Sequence, residues 1–315
     1  MKLVFCGTPM FAVPSLERLA AAGFEIQLVV TQPDRPQGRG MAMIAPPVKQ
    51  SALKLGLRVI QPEKIKKNEE FQAQLKVLQP NAIIVVGYGR IIPPWMLELP
   101  RHGNINVHAS LLPKYRGAAP VQWAIAQGET VFGVTTMLLN EGLDTGDILL
   151  QKEMAIGPED TAVTYAPRLA EMGADLIVET LRGLEDKTVA PIPQDHAMAT
   201  LAPILKKEDG LADFTRTATE IHNRLRGFQP WPGAYTQFRG KVLKIIGAKP
   251  EDTPSNLSPG ELRVGDEKLF VGCAQRTVLQ LLQVQPEGKK IMAAREFING
   301  YHPAAGERLS SAKES

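Results

Sequence analysis

Apolar and polar positions follow two different patterns along this chain. In the first pattern, short apolar runs alternate with segments of helical spacing. Lys2–Cys6 is a continuous apolar run, the signature of a buried strand, and Gly7-Thr8-Pro9 turns the chain. Val13–Ala22 carries helical spacing that Gly23 ends, and Glu25–Thr31 is a second strand. This strand–helix–strand opening predicts a Rossmann-like, doubly wound parallel sheet of the α/β class. Val48–Leu55 and Ile65–Leu78 read as helices around a short strand at Arg58–Ile60. Ala82–Val86 is apolar throughout, as a central parallel strand buried on both faces requires. Asn104–His108 is the next strand and Ala119–Gln127 the next helix. Phe132–Leu139 and Ile148–Ala155 read as a hairpin-like pair, and acidic Pro158–Thr161 opens a helix running to Leu181.

The second pattern begins after a break. Asp186–Pro203 holds Pro191, Pro193 and Pro203 and has no helical period. Thr217–Arg226 is then a short helix, followed by a proline-rich turn and short strands at Ala234–Phe238, Val242–Gly247, Gly260–Val264, Leu269–Cys273 and Val278–Gln283. Short strands punctuated by turns predict a smaller, OB-like β-barrel domain. The expected division is a catalytic domain over 1–189, a linker over 190–208 and a C-terminal domain over 209–315.

Composition narrows the function without naming it. The 315 residues are 44% apolar and 22% charged with a formal net charge of +3, so a polyanionic partner is permitted but not required. Cys6 and Cys273 are far apart in apolar runs, which leaves no material for a disulfide framework or a zinc site, and no metal is expected. Met1–Pro9 is too short an apolar run for a signal peptide, and no stretch suits a membrane span, so a cytoplasmic protein is expected. The first turn lacks the GxGxxG fingerprint, which disfavours a nicotinamide or flavin cofactor.

Candidate chemistry sits at the end of the Asn104–His108 strand. Residues two apart share a face, so Asn104, Asn106 and His108 point one way. The loop 140–147 is expected to bring Asp144 beside His108. A carboxylate next to an imidazole fixes its tautomer and supports its protonated form, and an amide donor can hold an oxyanion. Such a set suits attack of an amine on a carbonyl carbon, and a structural histidine is the competing reading. Gly87-Tyr88-Gly89 follows the central strand, where the glycines let a flat ligand approach the backbone, or where the chain simply turns. Gln32–Pro47 is a long loop whose prolines and glycines predict no regular structure. Its Arg35 and Arg39, with Met41, Met43 and Ile44, suit either a grip on a nucleic-acid end or a plain surface loop. The lysines scattered through the C-terminal part read equally as a solvated face or as a basic lane for RNA.

Val107–Pro120 (VHASLLPKYRGAAP) followed by Gly142–Asp147 (GLDTGD) resembles the folate-dependent formyltransferases. Further matches cover nearly the whole chain: Phe5–Pro9, Gln32–Pro36, Gly38–Gly40, Pro46–Lys49, Phe228–Pro232 and Gln285–Lys290. The resemblance implies a 10-formyltetrahydrofolate donor, an initiator methionyl-tRNA acceptor and a monomeric enzyme. It places the catalytic set on Asn106, His108 and Asp144, and the folate contacts on Ser110, Leu111, Leu112 and Pro113 with Val86, Gly87, Tyr88, Gly89 and Ile91. It places tRNA contacts on Arg35, Arg39, Met41, Lys206, Lys244 and Lys289, with Arg39 as the wedge at the acceptor end. Two alternatives stand beside it: a formyltransferase acting on a small amine, and an RNA-binding module without chemistry.

Overall fold

Strand β1 (Lys2–Gly7) is the apolar run that opens the sequence, and Leu3–Cys6 are wholly buried in it. The computed structural model describes residues 1–37 and 41–310. In chain order β1 is followed by α1 (Val13–Ala21), β2 (Glu25–Val30), β3 (Arg35–Gln37), β4 (Ala42–Ile44), α2 (Pro47–Lys54), β5 (Val59–Ile60), α3 (Glu69–Leu78), β6 (Ala82–Val86), α4 (Pro94–Leu97), β7 (Asn104–His108), α5 (Pro120–Ala126), β8 (Val131–Leu138), β9 (Ile148–Ala155) and α6 (Ala162–Glu185). The remainder holds α7 (Ala218–Gly227), β10 (Ala234–Phe238), β11 (Lys241–Glu251), β12 (Leu262–Gly265), β13 (Lys268–Gly272), β14 (Val278–Pro286), β15 (Met292–Ala293) and α8 (Ala294–Tyr301).

Two compact units are formed. The first takes residues 1–120, 131–155 and 166–202; the second takes 121–130, 156–165 and the chain from Pro203 onward. The first unit holds a seven-stranded sheet in the order β5-β2-β1-β6-β7-β8-β9. Pairing is parallel from β5 to β7 and antiparallel from β7 to β9. The Val85↔Asn106 register sets the ends of β6 and β7 side by side, so the Gly87–Gly89 turn and His108 share one sheet edge. Val4, Cys6, Leu28, Val30, Ile83 and Val85 pack with Phe71, Tyr88 and Met96 on one face. Each buried aliphatic side chain there contributes about 1.5–3 kcal/mol. On α6, Gly173 has no side chain because a Cβ would lie 2.8 Å from Val107 Cγ1, and Thr180 bonds Thr136 of β8 through their hydroxyls at 2.8 Å.

The second unit is an antiparallel sheet in the order β10-β11-β14-β13-β12, with β15 added to β14. The sheet's outer edges are bridged by one segment: Ser310 pairs with Gln237 of β10, and Arg308 pairs with Glu261 just before β12. This curls the sheet into a small barrel. Its core gathers Phe238, Leu243, Ile245, Leu269, Leu279, Leu281 and Phe297.

Three local expectations are corrected. The 32–47 loop is not free of regular structure: β3 and β4 pair as a two-stranded ribbon, with Pro36 opposite Met43. A ribbon has two free edges, so a proline costs it no obligatory hydrogen bond. Helix α3 starts at Glu69 rather than at Ile65, because the Asn68 side chain accepts from the Phe71 amide at 3.0 Å and caps it. Helix α8 was not expected; Glu296 closes its start by accepting from the Ala293 amide at 2.8 Å.

Candidate functional site

Alternation along β7 aims Asn104, Asn106 and His108 to one side, and the three then do different things. The Asn104 amide is structural: its Nδ2 donates to the carbonyls of Met96 and Leu97 at 2.8 and 3.1 Å, closing the end of α4. Asn106 is 9% exposed, and among the described residues no protein group bonds its amide. His108 is buried, and its Nε2 lies 3.0 Å from the Tyr115 carbonyl. A carbonyl only accepts, so Nε2 carries the hydrogen. Nδ1 therefore holds the lone pair in the neutral ring, and it faces Asp144 Oδ2 at 3.7 Å. That distance exceeds a hydrogen bond. A proton arriving at Nδ1 would find the carboxylate already in place.

Asp144 reaches this position by a route the sequence did not reveal. β8 runs antiparallel to β7 with Leu138 opposite Ile105, so the 139–147 loop leaves at the far end of β7 from His108. It doubles back, and Asp144 adopts a left-handed backbone at φ +51°. Non-glycine residues take this conformation sparingly, and aspartate tolerates it better than most. The Gly117 amide donates to Asp144 Oδ2 at 2.8 Å, and Gln194 Nε2 donates to the carbonyls of Asp144 and Gly146 at 2.9 and 2.6 Å.

The residues expected to hold a folate divide into two groups. Ser110, Leu112, Val86 and Tyr88 are buried in the fold. The Ser110 hydroxyl donates to the Lys114 carbonyl at 2.7 Å, and the Leu112 backbone is tied to Thr135 and Gln151. These residues shape the loop from within. Leu111 and Pro113 are half-buried, while Gly87, Gly89 and Ile91 are open to solvent, Ile91 at 90%. Gly87 and Gly89 have φ of +54° and +75°. The carbonyl between them is held by Thr8 Oγ1 at 3.2 Å and Gln32 Nε2 at 3.1 Å. A fixed, bare backbone beside an exposed isoleucine fits a flat heterocycle that needs both main-chain hydrogen bonds and an apolar face. Burial pushes the Tyr88 hydroxyl and the Cys6 thiol far above their ordinary values, so both stay neutral.

Of the residues expected to meet tRNA, Arg35 and Met41 are exposed on and beside the β3–β4 ribbon, next to exposed Met43 and Ile44. Arg39 lies outside the described residues. In the second unit Lys206, Lys244 and Lys289 are all exposed. Lys244 pairs with Gln285, whose Nε2 donates to the Lys289 carbonyl at 3.0 Å, so the two lysines share one end of the β11–β14 ladder. Lys206 is not brought to them by any recorded contact; its amide donates to Asp209 Oδ2 at 2.7 Å in a short turn.

Sequence reasoning missed two polar groups. One is Arg116–Gln194–His196, described below. The other lies at the root of the ribbon: Lys49 Nζ donates to both Asp34 oxygens at 2.9 and 2.8 Å and to Gln61 Oε1 at 2.7 Å, and Gln61 Nε2 donates to Asp34 Oδ1 at 2.7 Å. The Lys49 and Gln61 hydrogen bonds hold the Asp34 carboxyl below its usual range. Neither group leaves a periodic signal, because partners 12 to 80 residues apart meet only after folding. Among the described residues no group of His, Cys, Asp and Glu side chains is placed to hold a metal ion, and no helix is long and apolar enough to cross a membrane.

An α/β sheet with an imidazole, a carboxylate and an amide at one edge suits acyl-group transfer, and the comparisons with known proteins give the family. The formyl transferase family profile matches residues 1–181 and the profile of the formyl transferase C-terminal domain matches residues 204–302, so the chain belongs to the formyltransferase family. Its relatives within that family are methionyl-tRNA formyltransferases. That of Koribacter versatilis is 65% identical over 98% of both chains, and that of Acidobacterium capsulatum is 60% identical over 99% of this chain and all of its own. Among solved structures, an N-formyltransferase from Helicobacter canadensis, in complex with folinic acid and dTDP-3-aminofucose, superposes with a TM-score of 0.67 at 20% identity, covering 91% of this chain and 99% of its own. At that identity the likeness shows the fold alone.

Proposed function

We propose that this chain transfers the formyl group of 10-formyltetrahydrofolate to the α-amine of methionyl initiator tRNA, giving the N-formylmethionyl-tRNA with which translation starts. The likeness to methionyl-tRNA formyltransferases over the full length, C-terminal unit included, carries the choice of acceptor. The donor would lie along the bare Gly87–Gly89 backbone beside Ile91, supported by the loop that Ser110–Pro113 shapes. Bound there, it supplies an electrophilic formyl carbon.

In the proposed mechanism a C–N bond forms from the methionine amine to the formyl carbon and the bond from that carbon to the folate nitrogen breaks. One proton moves from the amine to the departing nitrogen. The Asn106 amide, without a partner among the described residues, donates to the formyl oxygen as charge builds on it, in a site sheltered from water. His108 Nδ1 takes the amine proton and returns it to the folate nitrogen; the Tyr115 carbonyl fixes the tautomer that leaves Nδ1 free. Asp144 Oδ2, at 3.7 Å, balances the imidazolium while it exists.

For the acceptor, the reading gives Arg35, Arg39 and Met41 the end of the tRNA, and Lys206, Lys244 and Lys289 its phosphates. The division of labour is a catalytic domain over 1–189, a linker over 190–208 and a tRNA-binding domain over 209–315. The reading takes the enzyme as a monomer acting in the cytoplasm, to which both substrates belong. The test is a formylation assay with 10-formyltetrahydrofolate and charged initiator tRNA. Formyl-methionyl-tRNA is the expected product. Formylation of a free amino sugar in its place, or tRNA binding with no turnover, overturns the reading.

A further inference from the structure

Residues 192–202 are the last stretch of the first unit, and their backbone is stitched to both loops that carry the reacting groups. Ile192 pairs with Ile148, at the exit of the Asp144 loop, through two bonds of 2.8 Å. Thr200 accepts from the Tyr115 and Arg116 amides at 2.8 Å each, through its hydroxyl and its carbonyl. Ala202 donates to the Arg116 carbonyl at 2.7 Å and accepts from the Ala119 amide at 3.2 Å. The approach is close enough that a Cβ on Gly117, whose φ is +126°, would lie 2.6 Å from the Ala202 carbonyl oxygen. Gly117 is the residue whose amide holds the Asp144 carboxylate.

Gln194 is the centre of this strap. It is 6% exposed, and its side-chain amide is divided by function. The Nε2 end donates to the Asp144 and Gly146 carbonyls, the two ends of the left-handed turn. The Oε1 end accepts from Arg116 Nε and Nη2 at 3.2 and 2.6 Å, and the same Nη2 lies 3.0 Å from His196 Nδ1. Among the described residues the buried Arg116 guanidinium has no carboxylate partner, and a charge so placed is costly to keep unless its hydrogen bonds are satisfied. Here Arg116 fixes which way the Gln194 amide faces: with its oxygen claimed by two donors, only the NH2 can point at the Asp144 loop.

We propose that Gln194 is a positioning residue for formyl transfer: it holds the Asp144 backbone in its left-handed turn and so keeps the carboxylate at His108 Nδ1, with Arg116 locking the amide's direction. This rests on the catalytic roles assigned above. It makes this last stretch of the first unit a working part of the site. Uncompensated, αL geometry at a non-glycine residue relaxes, and a shift of ~1 Å at a reacting group can cost ~100-fold in rate.

Two variants separate positioning from mere stability. Gln194→Glu keeps the side chain's shape and strengthens its bond to Arg116 into an ion pair, but it loses both donors to the Asp144 turn. Gln194→Ala loses everything. Single-turnover formylation of charged initiator tRNA is measured with each, alongside thermal unfolding and the KM for both substrates. The expected result is a fall on the order of 100-fold in the rate of the chemical step for both variants, with each KM within about twofold and the Gln194→Glu melting temperature not lowered. A Gln194→Glu rate equal to wild type overturns the proposal, as does a loss that appears only in KM or that matches a loss of folded protein. A wild-type enzyme inactive on methionyl-tRNA would instead overturn the functional reading. The same variants are then compared in hydrolysis of the formyl donor, where equal rates overturn the positioning role.

Discussion

At the scale of single residues, the site depends on what each side chain cannot do. Among the described residues Asn106 has no protein partner and is therefore available, whereas Asn104, two residues earlier on the same face, commits its Nδ2 to the end of α4. The sequence offered both as equals; only the contacts separate them. Asp144→Asn keeps the shape and removes the charge facing Nδ1, and His108→Ala removes the proposed proton carrier. Each is expected to slow single-turnover formylation on the order of 10³-fold while tRNA affinity, measured by filter binding, stays within about twofold. Near-normal rates in either variant would remove these roles. Gly117→Ala tests the carboxylate's other support. Its Cβ would meet the Ala202 carbonyl at 2.6 Å, so the strap or the loop must move, with an expected loss of about 1–3 kcal/mol in chemical denaturation.

Among the elements, the β3–β4 ribbon shows what composition conceals. Prolines and glycines argued for irregular chain over 32–47, yet a ribbon forms, rooted by Lys49, Asp34 and Gln61. Removing the Lys49 ammonium is expected to change how the ribbon is presented while the Gln61 Nε2 bond to the Gln32 carbonyl at 2.8 Å, which leads on to the folate edge, remains. Lys49→Met should raise the KM for charged tRNA about tenfold and leave slow hydrolysis of the formyl donor unchanged. Equal loss of both activities would mean that the clamp serves folding. Because the Asp34 carboxyl titrates lower in the folded chain than in the unfolded one, its contribution is present above the unfolded value and fades as pH falls through the folded one. The clamp therefore weakens only in acid. Helix α7 behaves differently. Burial, aided by Arg226, lowers the basicity of His222, so the folded protein keeps it neutral where the unfolded chain takes up a proton. Stability should fall as pH drops through ~6.5, and a His222→Gln variant should show a shallower slope between about pH 7.5 and 5.5. An unchanged slope would remove His222 as its source.

For the whole molecule, the proposed tRNA lane is electrostatic and so depends on salt. If Lys206, Lys244 and Lys289 neutralise phosphates, replacing all three with alanine should reduce the slope of log affinity against log salt by about 2–3, and an unchanged slope would reject the lane. The order of classes along the chain was legible in the sequence: apolar runs of strand length between helical periods dictate an α/β sheet, and short strands after a proline-rich break dictate a barrel. So was the common face of Asn106 and His108, because alternation along a strand is a local property. The sequence by itself also carried the family, since motifs such as VHASLLPKYRGAAP are long enough to be specific. The antiparallel turn of β8, the return of Asp144 from the far end of β7, the ribbon's pairing and the anchoring of Asp144 by Gln194 were decided only in three dimensions. Each is a hydrogen-bonded meeting of residues distant in sequence or a backbone conformation imposed by one. Periodicity records which side of an element faces the core, but not which distant polar group waits there.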